Sequence, residues 1–335
     1  MCVVTSKDVA ARAGVAQSTV SYVMSGKRSI SPETRAKVEA AIAELTYHPN
    51  AGARALASNR TSVIGLVVSM SRTTEMAGLL PFIEAITSDA RVRDHDVVLV
   101  TEEAGTASLE RLAGRSLVDA IVLMDVHLHD VRLERAAQLA VPVVLIGLAE
   151  DNHGLDAVDF DFEAAGTMAA EELLDRGYTR VVVVGEPPEV NWREYGFIAG
   201  FERGALEACH RRAVAAEVLR PAAPGWSAFL AAVSEQVGNA RASRVGFIAR
   251  TPQTVAWVLQ LLLVERLEPG RDVGLVGMCT DEDSETFSTP VTNVSPRPRE
   301  VSHAAMNRVF ELLNGAEPGG RIQLIPPRLT RRRTT

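Results

Sequence analysis

The sequence predicts a small all-α head containing a helix-turn-helix, followed by a two-lobed α/β body of parallel sheets joined by three crossovers. Three observations carry this reading. Two short helical patterns flank Gly14, and a third starts at Ser31. From Ser62 onward, Val-rich runs alternate with amphipathic segments, the pattern of parallel strands covered on both faces. Charge also changes sign along the chain. The first 60 residues hold eight basic side chains against four acids (Asp8, Glu33, Glu39, Glu44), a net of +4, and the remainder carries −11 within a total of −7. The total alone argues against a phosphate-binding surface, but a basic head on an acidic body implies a nucleic-acid-binding module joined to something else. With 335 residues, 47% hydrophobic and only 5% aromatic, the chain is long enough for two or three domains with aliphatic cores.

In the head, Thr5-Ser6-Lys7-Asp8 fits a capping box that starts a helix running to Ala13. Gly14 supplies the turn. A second helix over Gln17–Met24 points Val20, Val23 and Met24 inward and presents Gln17, Ser18, Ser21 and Tyr22 outward, short polar or planar side chains suited to base edges. Lys27 and Arg28 follow where phosphates would lie. Ser31-Pro32-Glu33 starts a third helix that runs to Leu45, and Tyr47-His48-Pro49-Asn50 stops it. Residues 50–60 form at most a marginal helix by themselves.

In the body, strands are expected at Val63–Ser69, Val97–Thr101, Ala120–Met124, Val141–Gly147, Val181–Gly185, Val245–Ala249 and Val273–Met278. Helices are expected at Leu79–Val92, Glu163–Arg176, Arg193–Cys209 and Thr254–Leu267. Such sheets bind ligands beyond their carboxyl strand ends. The lobes are placed at about 62–158 with 291–320, and at about 159–290 with 321–335. The crossings fall near Ala157–Asp161, Thr289–Val294 and Gly319–Ile325. The head spans 1–49 and a linker 50–61.

Three cysteines far apart (Cys2, Cys209, Cys279) argue against a disulfide framework or a structural zinc site. No apolar run approaches the roughly 18–20 residues a membrane span needs, and Lys7, Asp8 and Arg12 interrupt any secretory signal. A protein that is soluble, cytoplasmic and not exported is expected. His127-Leu128-His129, with Asp125 and Asp130, is read as a polar strand-end loop rather than a metal site. Thr280 with Asp283 is read as a capping box rather than part of a catalytic acid cluster. Cys279 has no evident His or Asn partner, and neither G-x-G-x-x-G nor G-x-x-x-x-G-K-[ST] occurs. Neither enzyme activity nor a cofactor is expected.

Lys7-Asp8-Val9-Ala10, Gly14-Val15, Ser18-Thr19-Val20-Ser21, Ser31-Pro32-Glu33-Thr34-Arg35 and Tyr47-His48-Pro49-Asn50 together resemble the head of the LacI family of bacterial repressors, over the first 60 residues. Gly177-Tyr178-Thr179-Arg180, Arg193-Glu194-Tyr195-Gly196-Phe197 and the ending from Pro327 to Thr335 extend the resemblance. It implies a periplasmic-binding-protein-like body and a homodimeric transcriptional repressor on pseudo-palindromic double-stranded operator DNA, at the nucleoid and not at a membrane. It also implies a hinge helix at residues 50–60, with Leu56 as a minor-groove wedge. The DNA-contact set it implies is Thr5, Ser6, Gln17, Ser18, Thr19, Ser21, Tyr22, Lys27, Arg28, Ser31, Thr34, Tyr47, Asn50, Ala53, Arg54 and Leu56. Tyr22 stands where many relatives carry Arg, so a bidentate guanine contact is lost there. The appended heptads of tetrameric members are absent, so a dimer is expected.

The resemblance places a small-molecule effector between the lobes, with Ser69, Ser71, Asp125, His127, Phe160, Arg193, Arg250 and Cys279 as candidates. Two motifs depart from the family. Arg250-Thr251 replaces Asn-Asp, and Met278-Cys279-Thr280 replaces an aromatic residue with two acids. These changes point away from a plain neutral sugar. Arg193 and Arg250 would suit a sugar-derived or anionic metabolite. The competing reading has Arg250 paired with an acid and a degenerate cleft that takes no ligand. A solute-binding protein that does not bind DNA is the remaining alternative.

Overall fold

A computed structural model describes residues 4–25, 28–47, 60–68, 76–101, 106–114, 117–190, 194–240 and 242–335. The head consists of α1 (Ser6–Ala13), α2 (Gln17–Ser25) and α3 (Pro32–Glu44) around Val9, Ala10, Val20, Val23, Val38 and Ala41. The expected caps form. The Thr5 backbone N–H and hydroxyl donate to the Asp8 carboxylate at 2.8 and 2.7 Å, and these bonds hold that carboxyl below its usual range. Gly14 closes α1 at φ +67°, and the Ser31 hydroxyl accepts from the Thr34 N–H at 3.2 Å.

The body holds two six-stranded sheets. In chain order the strands of the first are β1 (Val63–Val68), β2 (Asp96–Thr101), β3 (Ala120–Leu123), β4 (Val143–Ile146), β5 (Asp156–Phe160) and β11 (Ile322–Ile325). They are all parallel, in the spatial order β2-β1-β3-β4-β5-β11. The second sheet has β6 (Arg180–Val184), β7 (Ala215–Leu219), β8 (Val245–Ala249), β9 (Gly274–Met278), β10 (Thr292–Ser295) and β12 (Arg328–Thr330). Its spatial order is β7-β6-β8-β9-β10-β12, and only β12 is antiparallel. The central strands β3, β4 and β8 are buried along their whole length and β6 from Val181 onward, as their apolar content requires. In each sheet the strand order reverses beside the first strand, β1 or β6, which opens a crevice at the carboxyl ends.

The lobe boundaries differ from the sequence expectation. The first crossing falls at Asp161, at the end of the expected range, because residues 157–160 complete β5. The run at 289–294 overlaps β10 in the second sheet, and 319–325 overlaps β11 in the first, so both return crossings come later. They sit at Pro296-Arg297 and Pro326-Pro327. The physical reason is that proline cannot donate to a ladder, so pairing continues up to each proline and the chain changes lobe there. The Arg297 guanidinium donates to the Pro326 carbonyl at 3.1 Å and ties the two return crossings together. Five strands (β5, β7, β10, β11 and β12) were not marked by apolar runs, because polar or charged residues interrupt them.

Two helices, α7 (Phe162–Asp175) and α8 (Gly196–Arg211), pack closely across the second lobe. Gly166 and Gly204 lie at the contact. A Cβ on Gly166 would lie 1.9 Å from the Phe201 carbonyl oxygen, and one on Gly204 would lie 2.0 Å from that of Glu163. The expected helix start at Arg193 moves to Gly196, and residue 193 lies outside the described residues.

Asp119 fixes the point where the body begins. It accepts from the Thr61 N–H and hydroxyl at 2.6 and 3.0 Å and from the Ser62 N–H at 2.8 Å. Replacing Asp119 by alanine strands these donors and is expected to lower the unfolding free energy by about 2–3 kcal/mol. Urea denaturation checks this, and a loss under about 0.5 kcal/mol would show the anchor to be dispensable.

Candidate functional site

Two regions gather the residues singled out by sequence. The first is the outer face of α2. Gln17, Ser18 and Ser21 are exposed, and Thr19 and Tyr22 are half-buried. The fold joins this face to the start of α1, because the Gln17 side-chain amide donates to the Ser6 hydroxyl at 2.9 Å. Arg28 is exposed, with its guanidinium 5.4 Å from the Tyr22 ring centroid, a cation–π contact. Tyr22 is therefore shared between the polar outer face of α2 and a basic side chain.

The four acids of the head are each engaged. Asp8 is held by Thr5, Glu33 by Lys37, Glu39 by Arg35 and Glu44 by Arg12. Ser31 caps α3 and its hydroxyl donates to the Thr34 hydroxyl, and Tyr47 packs on the head core. Thr5 stands beside Ser6 at the start of α1. Lys27, Asn50, Ala53, Arg54 and Leu56 lie outside the described residues, as does the expected hinge helix.

The second region is a cavity of about 280 Å³ between the lobes. Its walls are the carboxyl ends of strands from both sheets and the proline crossing. Asp125, Phe160, Arg250 and Cys279 line it, as the sequence suggested. His127 does not. The Leu128 N–H donates to the Glu194 carbonyl at 2.7 Å, pulling this loop onto the second lobe, and the His127 ring packs edge-on against Tyr195 at 4.8 Å. Ser69, Ser71 and Arg193 lie outside the described residues. Asp130 is taken by Arg132, which donates from Nε at 2.8 Å and from a terminal nitrogen at 2.6 Å.

Several lining residues were missed by sequence: Phe82, Asp159, Phe162, Phe197, Thr251, Thr280 and Asp283. Asp159 was the findable one, as a carboxylate inside the apolar run Ala157–Phe160. Phe197 sat within a recognised motif. Phe82 offered no signal, because helix α4 (Met76–Val92) brings it to the cleft only through tertiary packing.

The charges in the cleft are arranged specifically. Arg250 forms an ion pair with Glu186, both about 12% exposed, and its guanidinium lies over the Phe197 ring at 5.4 Å. The positive charge expected to attract an anion is thus already balanced. Burial pushes the Asp159 carboxyl up to about 7, and burial raises Asp125 as well. Burial pushes the Cys279 thiol up to about 12, so it is neutral and unreactive near pH 7. Thr280 caps α11 (Asp281–Thr286), accepting from the Asp283 N–H at 3.0 Å as its spacing implied. Among the described residues no His, Cys, Asp and Glu cluster is arranged to hold a metal, and no helix is long and apolar enough to cross a membrane.

A helix-turn-helix head with a polar outer face, on a two-lobed body with a cavity at its crossovers, defines the class of ligand-responsive DNA-binding regulators. Residues 5–50 match the family described as bacterial regulatory proteins, lacI family, and residues 170–335 match the periplasmic binding protein-like domain. The chain is 30% identical over 321 residues to the HTH-type transcriptional regulator CelR of Thermobifida fusca, covering 91% of this chain and 90% of that one. It is also 30% identical over 208 residues to catabolite control protein A of Priestia megaterium, 61% of each chain. A solved structure of the Lac repressor dimer, bound to operator and the anti-inducer ONPF, matches with a TM-score of 0.82 at 23% identity, covering 99% of both chains. The chain belongs to the lacI family of bacterial regulatory proteins. It is a DNA-binding regulator and not an enzyme.

Proposed function

We propose that this protein is a homodimeric transcriptional repressor of a pseudo-palindromic operator, with affinity set by a small molecule in the interlobe cavity. The carrying observation is the exposed Gln17–Tyr22 face beside Arg28, free of unpaired acid, on a body whose cavity spans both lobes. Gln17, Ser18, Ser21 and Tyr22 are assigned to base edges in the major groove, with Thr19 at the rim of the same face. Thr5, Ser6, Lys27, Arg28, Ser31, Thr34, Tyr47 and Asn50 are assigned to phosphates and register. Ala53, Arg54 and Leu56 are assigned to the central minor groove. The head spans about 1–49 and the linker about 50–61. A ligand that binds one lobe arrangement better than the other shifts the population that grips DNA. A protein with this function works at the nucleoid.

Fluorescence anisotropy on palindromic DNA from neighbouring genes tests the reading. Gln17→Ala is expected to weaken operator binding by about 1–3 kcal/mol and to relax specificity at one base step. The slope of affinity against salt should stay the same, because no phosphate contact is removed. Equal weakening on scrambled DNA would argue against base readout, and no specific binding to any such site would favour a solute-binding protein.

A further inference from the structure

Aromatic residues are scarce in this chain, yet four of its nine phenylalanines line one cavity of about 280 Å³. They are Phe82, Phe160, Phe162 and Phe197. Phe160 meets Phe162 edge to face at 5.0 Å, and Phe162 meets Phe197 at 5.1 Å. The Arg250 guanidinium already lies over Phe197, which is how a cation uses an aromatic face. Glu186 neutralises that guanidinium, so it offers no net charge to a ligand.

Three carboxylates share the same cavity: Asp125, Asp159 and Asp283. None has an ion-pair partner among the described residues. Asp125 accepts from the Tyr195 hydroxyl, and Asp283 accepts from the Thr280 hydroxyl at 2.8 Å. Asp159 accepts from the Phe160 N–H at 2.8 Å through one oxygen, and its other oxygen has no partner among the described residues. Burying a carboxylate is unfavourable unless something satisfies it. An anion entering this cavity would meet like charge. A neutral polyol could hydrogen-bond to the carboxylates but would leave their charge uncompensated. A cation on an apolar body matches both walls.

We infer that the effector is a small organic cation, an ammonium group on an apolar or aromatic body, with its charge on Asp159 and Asp125 and its body among Phe160, Phe162 and Phe197. This rests on the reading of the cavity as the effector site. The ammonium would donate to the Asp159 oxygen that has no partner among the described residues, and its neighbouring methylenes would meet the ring faces. No bond is made or broken.

Isothermal calorimetry on the full chain at pH 8 tests this with probes of one shape and three charges: benzylamine, benzyl alcohol and benzoate, with glucose as a neutral polyol. Benzylamine is expected to bind at least tenfold more tightly than benzyl alcohol, with no binding of benzoate. Asp159→Asn should erase that preference while leaving benzyl alcohol binding in place. Asp125→Asn should reduce the preference and serves as the second variant if the first does not fold. Tightest binding by benzoate or glucose, or an amine preference unchanged in both variants, overturns the inference. If glucose or benzoate binds and alters operator affinity by anisotropy, the cavity remains the effector site and only the ligand class fails. If no probe binds and none alters operator affinity, both readings fail.

Discussion

Replacing Gly204 by valine is expected to destabilise the protein by at least about 4 kcal/mol. A Cβ at this position lies 2.0 Å from the Glu163 carbonyl oxygen, far inside van der Waals contact. The obstacle is backbone, so no rotamer change relieves it, and α7 and α8 must separate. That separation breaks the Thr167 hydroxyl bond to the Gly204 carbonyl at 3.2 Å and loosens Phe201, Ala205, Ala165 and Ala169, all buried in the shared core. Overpacking a core typically costs about 1–3 kcal/mol, and a backbone clash between two long helices exceeds that range. Thermal unfolding should fall by roughly 10 °C, given about 2–4 °C per kcal/mol for a domain of this size. Gly238 in α9 (Trp226–Asn239) is the control. A Cβ there meets nothing within 4 Å, so Gly238→Ala should stabilise by about 0.5–1 kcal/mol through helix propensity. A valine variant melting within about 3 °C of the parent would show that the helix pair adjusts freely.

The second large effect is the pH dependence that Asp159 imposes. Burial lifts its carboxyl from 3.8 to about 7 in the folded protein, whereas the unfolded chain keeps the ordinary value. The native state therefore holds this proton more tightly. The associated stability is fully present below about pH 4 and is lost as pH rises through 7. Three units correspond to roughly 4 kcal/mol between those limits. Asp159→Asn keeps the shape and removes the titration. The variant should melt higher than the parent at pH 8, by roughly 10 °C, and the gap should shrink steadily toward pH 4. Calorimetric melting at several pH values checks this, and a constant gap would mean the carboxyl does not titrate in this window. A bound ammonium would stabilise the ionised form and narrow the gap at pH 8, which links the measurement to the effector.

The head was legible in the sequence almost to the residue, because its signals are local. Capping boxes, a glycine turn and a proline at a helix start act within a few residues, and each formed as its spacing implied. The central strands were legible for the same reason, since a strand covered on both faces must be apolar along its length. The edge strands were harder. β2 was found, but Ala215–Leu219, Ile322–Ile325 and Arg328–Thr330 were not, because one side faces water and the apolar signal is diluted. β5 and β10 carry Asp156, Thr292 and Asn293, whose partners come from distant parts of the chain. Arg308, for example, donates to Asp156 at 2.9 Å across 152 residues. Read locally, those polar residues looked like crossings.

The sequence by itself determined the class of protein, the two-part charge and the polar outer face of α2, since each follows from neighbours within a helical turn or from simple totals. Tertiary structure alone decided what the cleft can hold. Arg250 read equally as an anion ligand or as the partner of an acid, and the fold brings Glu186, 64 residues earlier, against it and balances its charge. Asp159 read as part of a lobe crossing, but it ends up inside β5 at the cavity, where burial raises its pKa. A side chain's charge depends on what lies within a few ångströms of it, and that neighbourhood is assembled from residues far apart in the chain.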